Sequence, residues 1–572
     1  MKPRTLVQAT LGSARNEFEA FQVAVTGAAK GVRATATALT LAGGAGQIPA
    51  PNLYRVELIN LQNASSADGG TGQWPDALVP DVDPIVGEQR NAFPFDVDNG
   101  VTRTIYVEYH VPAGTPAGTY HGQVTVSSDQ GTATVPVTFE VWDFDLPSTA
   151  SLRSAYGLAW GTVRAAHGVS GDGLAALRAL YGQSALDHRI SLSGIDDDDS
   201  PGDMNHFDQF YGPLMDGKAP TQLQGAKMTA LKYMGDRTSV DQHAQWATHF
   251  HQRGWFEQLF DYTCDEPPLT CQWSDITTRA NAVHQADPNF RTLVTTQVWD
   301  SDANNVTGAI DIMVPNDNFI WDKPGQPTAG DQRSRFDPFL ASGKTKELWL
   351  YQSCMAEGCG GKVNIGNQSS GDQYHTGWAT YVIDANATRN RAHPWLAFIE
   401  RGTGELYWET TQAYTHDPWS NQWDFGGNGD GTLFYPGTTS KIGGKTDIPV
   451  ASLRLALIRD GQEDYEYLKL VSDGGDPAFA RSVATTLFPS TYQTDIDPAN
   501  IAAARASLAK RILQLHGKPI PASLSSGTPP MASVVGSPSA KASGGCGSSG
   551  SGSAVAILSP ALFLAARRRT TA

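Results

Sequence analysis

The chain has 572 residues, 40% hydrophobic and 9% aromatic, enough for large packed cores and two or three domains. Its 42 basic and 58 acidic residues leave a net charge of −16, which argues against a nucleic-acid binder and fits a soluble acidic surface. Abundant glycine (58) and proline (34) favour strands and loops over helix bundles. Met1-Lys2-Pro3-Arg4 runs into Thr-Leu-Val-Gln rather than an apolar stretch of signal length, so the expectation is that the true start lies upstream or that export does not use this end.

Residues 1–146 read as an all-β domain. An apolar stretch holds Phe18, Phe21, Val23 and Val25, and residues 104–111 alternate with period two. Two more strand-like runs follow at 119–126 and 133–141, after the Gly-Thr-Pro-Ala-Gly turn at 114–118. Short strands at this spacing predict a β-sandwich. Residues 150–516 alternate strand-like and helix-like stretches. Strands are predicted at 155–160, 189–193, 258–264, 291–296, 310–314, 347–351, 395–399 and 405–408, with helices at 173–188 and 272–285. Roughly eight such units match a (β/α)8 TIM-like barrel, and 450–471 is strongly helical in pattern.

Residues 517–545 are rich in Pro, Ser and Gly, a linker with no capacity for a core. In 546–572, Cys546 lies between glycines and is followed by a Ser/Gly run, a 13-residue apolar stretch at 554–566 and Arg567-Arg568-Arg569. A full membrane span needs about 20 apolar residues, so this order predicts a processed C-terminal sorting signal. Of the five cysteines, Cys264 and Cys271 are close in sequence, as are Cys354 and Cys359, and both pairs are disulfide candidates in an exported protein. Neither pair has zinc spacing, and no metal or cofactor is expected. Asp196–Asp199 with Asp203 lacks the EF-hand pattern and reads as a solvated acidic loop.

The most informative stretch is Phe256-Glu-Gln-Leu-Phe-Asp-Tyr-Thr-Cys-Asp-Glu-Pro-Pro268. An apolar strand runs straight into Asp265-Glu266, and two prolines stop it. Neighbouring side chains on a regular strand face opposite ways, so both carboxylates reach one site only where the strand ends. Catalytic groups of barrels sit at those ends. Two close carboxylates push one pKa up, leaving one group to donate a proton and one anionic. An adjacent pair suits glycoside hydrolysis in which the substrate's own 2-acetamido oxygen attacks the anomeric carbon. The tripeptide alone reads equally as an acidic helix cap with Pro in the first turn.

Further segments narrow the choice. They are the Gly404-Glu-Leu-Tyr-Trp408 strand, the Gly429-Asp-Gly-Thr-Leu-Phe-Tyr-Pro436 loop and the Arg459-Asp-Gly-Gln-Glu-Asp-Tyr-Glu-Tyr-Leu468 helix. With Asp-Glu-Pro at 265–267 and Arg15-Asn-Glu-Phe-Glu-Ala-Phe-Gln22, they resemble glycoside hydrolase family 123 and the broader set called domain of unknown function 4091. The resemblance spans about residues 1–516. It implies a retaining exo-hydrolase of terminal β-linked N-acetylhexosamine, N-acetyl-β-galactosaminidase-like, acting by substrate assistance. Asp265 would hold the acetamido group and Glu266 would serve as general acid and base. Trp408 would contribute to the sugar-binding floor. From the residues themselves, Tyr351 at a predicted strand C-terminus and Trp423 in a loop rich in Gly and Asp are further candidate substrate contacts. Thr263-Cys264, just before the pair, departs from the apolar or aromatic residues more typical there.

Asp460 and Glu463 have the spacing of a capping box, and Arg459 is expected to pair with one of them, a structural role. The tail resembles the C-terminal sorting tags of myxobacterial surface proteins. That implies cleavage or lipidation near Cys546, export, and attachment to the outer-membrane surface, or secretion. The expected partner is a glycan or glycoconjugate and not a nucleic acid. The competing expectation is a catalytically inactive carbohydrate-binding surface protein on the same fold.

Overall fold

The computed structural model describes residues 8–159, 161–353, 373–525 and the strand Ala554–Leu558. The N-terminal part is two curled sheets. One takes the order Ala9–Arg15, Gly131–Asp145, Gly118–Ser128, Ala29–Ala36 and Phe95–Val97. The other takes the order Ala554–Leu558, Glu17–Thr26, Thr102–Val111, Asn52–Leu61 and Gly72–Pro80. In Gly131–Asp145, Val135, Val137, Phe139 and Val141 are buried while Thr134, Pro136, Thr138 and Glu140 are not, the period-two pattern of a strand with one covered face. Those residues share one core with Phe21, Val23, Ile105 and Val107 of the facing sheet.

The second part is built on parallel strands. Seven form one sheet in the order Arg153–Tyr156, Gly404–Tyr407, Glu347–Tyr351, Ile312–Met313, Arg291–Val294, Leu259–Cys264 and Leu231–Lys232. The open side is bridged by residues 191–193. Tyr156 N donates to Ser191 O (2.9 Å), Ser193 N to Tyr156 O (2.9 Å) and Lys232 N to Ser193 O (2.8 Å). The result is a nearly closed, barrel-like parallel sheet. Its axis is filled by Ala155, Ala230, Phe260, Leu293, Ile312, Trp349 and Leu406. Helices such as Gly171–Asp187, Val240–Arg253 and Trp273–Ala286 connect the strands. Among the described residues no helix is long and apolar enough to cross a membrane.

Three element assignments differ from the sequence expectation. Residues 189–193 form no strand, only the isolated bridge of Leu192 to Tyr156. Residues 395–399 belong to a helix, His393–Ile399, with Pro394 in its first turn. A short continuous apolar run cannot be told from a buried helix by periodicity. Leu231–Lys232 is a barrel strand that no pattern announced, because it is two residues long.

The Arg459–Leu468 motif also takes a different place. The helix runs Leu453–Asp473, and its N-cap is Ser452, whose hydroxyl accepts from Leu455 N. Asp460 and Glu463 are therefore mid-helix, not a capping box. Arg459 pairs with Glu108 of the N-terminal sheets rather than with its neighbours. Glu463 accepts from Phe18 N (3.1 Å) and lies 3.3 Å from Arg189. Tyr467 OH donates to Glu17 (2.6 Å), which also pairs with Arg505. The motif clamps the curled sheets to the barrel through buried charges, and these charges are paired as burial demands.

Candidate active site

The strand Leu259–Cys264 carries the predicted pair to the C-terminal end of the barrel sheet. Its register against Arg291–Val294 shifts between Tyr262 and Cys264. Regular alternation from Phe260 sets the Tyr262 ring against the axial cluster, and the irregularity turns Cys264 away into the outer cluster. Glu266 then adopts a positive φ of 43°, left-handed backbone that is uncommon for a residue with a β-carbon. The turn brings the second carboxylate back to the same mouth as the first.

Asp265 accepts two hydroxyl bonds on one oxygen, from Tyr262 (2.8 Å) and from Thr295 (2.8 Å). Thr295 also accepts from Glu266 N at 2.6 Å, so one hydroxyl fixes the side chain of the first acid and the backbone of the second. Glu266 accepts from Tyr351 OH at 2.7 Å. Tyr351 closes the strand Glu347–Tyr351, which lies three places along the sheet from Leu259–Cys264, so this bond reaches over the mouth of the barrel. Burial pushes the Glu266 carboxyl above the ordinary range; the Tyr351 bond partly offsets this and the charge of Asp265 adds to it. A half-buried acid whose carboxyl is pushed up, beside a second carboxyl gripped by two hydroxyls, is an arrangement suited to proton transfer next to an oriented acceptor.

Cys264 and Cys271 form a disulfide with Cα atoms 6.0 Å apart, tying off the loop that holds the pair. Cys354 and Cys359 lie outside the described residues, as does Cys546.

Trp408 follows the strand Gly404–Tyr407. Its indole Nε1 donates to the buried Asp430 (3.2 Å), and its ring meets Phe425 edge-on with centroids 4.9 Å apart. The Gly-Asp-Gly loop is shaped around this contact. Gly431 has φ +66°, and a β-carbon there would stand 2.3 Å from the Trp408 ring. Gly429, at φ +81°, would place one 2.8 Å from the Arg454 guanidinium. Trp423 lies half-buried on the short hairpin formed with Gly427–Asn428. Among the described residues neither indole bonds to Asp265 or Glu266. Of the predicted substrate contacts, Tyr351 alone is joined to the pair.

Tyr262 and Thr295 were not singled out in the sequence. Thr295 lies near the C-terminal end of the predicted strand 291–296 and directly follows the observed strand Arg291–Val294, the position where such groups sit. The acidic run 196–199 also differs from a solvated loop, since Asp196 and Asp198 are both buried. Asp198 accepts from Tyr211 OH and Ser200 N, and Asp203 caps the helix Met204–Phe210.

No protein-family model matches the chain, and no curated protein matches it in sequence. Among solved structures it is similar to a family 123 glycoside hydrolase from Clostridium perfringens, described for glycolipid glycan hydrolysis. The TM-score is 0.59 at 13% identity, covering 88% of this chain and 93% of that one. At this identity the likeness is one of fold, over nearly the whole of both chains. β-Glucuronidases from Parabacteroides merdae (TM-score 0.24, 9% identity, 75% of this chain and 64% of that chain) and Bacteroides uniformis (0.25, 10%, 81% and 66%) overlap too loosely to bear on the site.

Proposed function

We propose that the chain is a retaining exo-glycoside hydrolase acting on terminal β-linked N-acetylhexosamine by substrate assistance. The observation that carries this is the pair itself: Asp265 held by the Tyr262 and Thr295 hydroxyls, and Glu266 half-buried under Tyr351 with its carboxyl pushed up. The fold likeness to a family 123 hydrolase supports the same reading. On it, the curled sheets are a β-sandwich and the parallel ring is a closed (β/α)8 barrel.

On this reading the two carboxylates divide the work. Asp265 accepts from the acetamido N–H and keeps its carbonyl oxygen aimed at the anomeric carbon. That oxygen attacks as Glu266 passes its proton to the glycosidic oxygen, and the aglycone leaves. Glu266, now a carboxylate, takes a proton from water as the water oxygen bonds to the anomeric carbon and the bond to the acetamido oxygen breaks, which restores the amide and leaves the configuration retained. Trp408 and Trp423 stack on the sugar. Export and attachment to the cell surface through processing at Cys546 complete the proposal.

The test is release of nitrophenol from aryl N-acetyl-β-galactosaminide and N-acetyl-β-glucosaminide by the full chain. Turnover of either, with little on the matching hexosides that lack the acetamido group, supports the mechanism. Sugar binding without turnover would replace it with a carbohydrate-binding protein.

A further inference from the structure

The segment 191–193 and the strand Leu231–Lys232 lie beside Leu259–Cys264 in the parallel ring, so their C-terminal ends open onto the same mouth. Each end carries a charged group without a bonded partner. Asp196 is 3% exposed, and both its carboxylate oxygens are buried with no hydrogen bond from any other described residue, only its own backbone N–H acting on them as a donor. Its neighbours differ from it: Asp198 is bonded to Tyr211 and Ser200, and Asp199 to Arg164. A buried carboxylate without a donor from another residue is costly and is kept where something else supplies the bond.

Lys232 stands in register with Phe260, whose ring belongs to the axial cluster, so its side chain shares that inward face. Its Nζ lies 3.6 Å from the place a β-carbon on Gly194 would take, and glycine leaves that space clear. It makes no hydrogen bond or ion pair with a described residue and keeps partial exposure. Asp196, Asp197 and Glu409 all act on it electrostatically, yet none is close enough to pair. An acceptor and a donor therefore lie near each other on one side of the ring.

We infer that Asp196 and Lys232 form the hydroxyl-binding half of the sugar pocket. This rests on the hydrolase reading of the Asp265–Glu266 site. A terminal N-acetylhexosamine presents its anomeric carbon and acetamido group to that pair, and its remaining ring and C6 hydroxyls point elsewhere. Lys232 donates to one of these hydroxyls and Asp196 accepts from it or its neighbour. A site built to bond a hydroxyl discriminates strongly against a sugar lacking it. Asp196 and Lys232 are thus specificity-determining positions, not catalytic residues.

The test compares the full chain with Asp196→Asn, Asp196→Ala and Lys232→Met on aryl N-acetyl-β-hexosaminides and their 3-, 4- and 6-deoxy analogues. Thermal melting checks that each variant is folded. KM is expected to rise about 10-fold or more in each variant with a smaller change in kcat. At one deoxy position, the penalty seen with the unaltered chain should vanish in the variants. Deoxy penalties of equal size in the variants and the unaltered chain would overturn the inference while leaving the hydrolase reading intact. If the unaltered chain cleaves no hexosaminide, calorimetric binding of N-acetylgalactosamine and N-acetylglucosamine decides. Binding lost in Asp196→Ala keeps the subsite and removes only the hydrolase reading. No binding by the unaltered chain overturns both.

Discussion

The Tyr351 hydroxyl donates a 2.7 Å hydrogen bond to Glu266 from a strand three places away in the parallel ring. The bond orients the acid and lowers a pKa that burial has raised. Tyr351→Phe removes that stabilisation of the carboxylate, so the Glu266 pKa should rise further. Activity that needs protonated Glu266 is lost as pH rises through its pKa, so the alkaline limb of the kcat/KM profile should move to higher pH. At the optimum, kcat/KM should fall about 10-fold for the lost positioning. A limb that moves down, or stays in place, would show that Glu266 is not the titrating acid.

The two carboxylates should separate by substrate. Glu266→Gln should cost about 100-fold or more on substrates with poor leaving groups and much less on nitrophenyl glycosides, where acid catalysis matters least. Asp265→Asn should damage every acetamido substrate whatever the leaving group. Tyr262→Phe and Thr295→Val, which each strip one hydroxyl from Asp265, should follow the Asp265 pattern with losses of about 10-fold. Steady-state kinetics on a leaving-group series measures all four.

The legible parts of this site were those written in contiguous residues. An apolar strand stopped by Pro267-Pro268 located Asp265 and Glu266, and Glu347–Tyr351 was predicted to the residue. What was not legible depends on partners distant in sequence. Thr295 meets Asp265 only because two parallel strands align, and Asp196 differs from Asp198 only in having no donor from another residue. The acids at 460 and 463 looked like a local cap because their partners, from Phe18 to Arg391, lie on other elements. Helix His393–Ile399 was misread because burial on all sides erases the period that distinguishes helix from strand.

The buried Arg459–Glu108 pair makes a stability prediction. Arg459 also lies over the Phe18 ring at 4.1 Å, so it joins the helix Leu453–Asp473 to the sheets by charge and by packing. Arg459→Met strands Glu108 as a buried charge and should destabilise by about 3–5 kcal/mol. Adding Glu108→Gln should recover part of that loss, because the orphaned charge goes with it. Urea unfolding of the single and double variants measures the coupling, and additive losses would mean the pair is not interacting.

The Cys264–Cys271 disulfide closes a loop of sequence separation 7 around the Asp265–Glu266 pair. Loops this short yield only about 2 kcal/mol from chain entropy, so global stability should change modestly on reduction. The larger effect should be local, since the bond holds both ends of the segment carrying Glu266. Cys271→Ser, or dithiothreitol on the unaltered chain, should lower kcat several-fold while shifting the melting temperature by a few degrees. A melting shift with unchanged kcat would separate the loop's order from catalysis.

Asp196 gives the most direct physical check, because it needs no substrate. Burial raises its carboxyl to about 7, against the opposing pull of its own backbone N–H and then of Lys232 and Arg178, and with the added repulsion of Asp198. In the unfolded chain it ionises near the ordinary carboxylate value of about 3.9. Below that pH both states hold the proton and folding suffers no cost. Between there and about 7 the unfolded state gains from ionising and the folded state does not, so stability falls as pH rises and levels off above the folded value. Asp196→Asn removes the titrating group. The variant should therefore be more stable than the unaltered chain at pH 8, and the two should converge toward pH 4. Urea midpoints across that range measure it. A variant less stable at pH 8 would mean that the carboxylate is satisfied in the folded chain, and that the gap beside Lys232 is not waiting for a sugar hydroxyl.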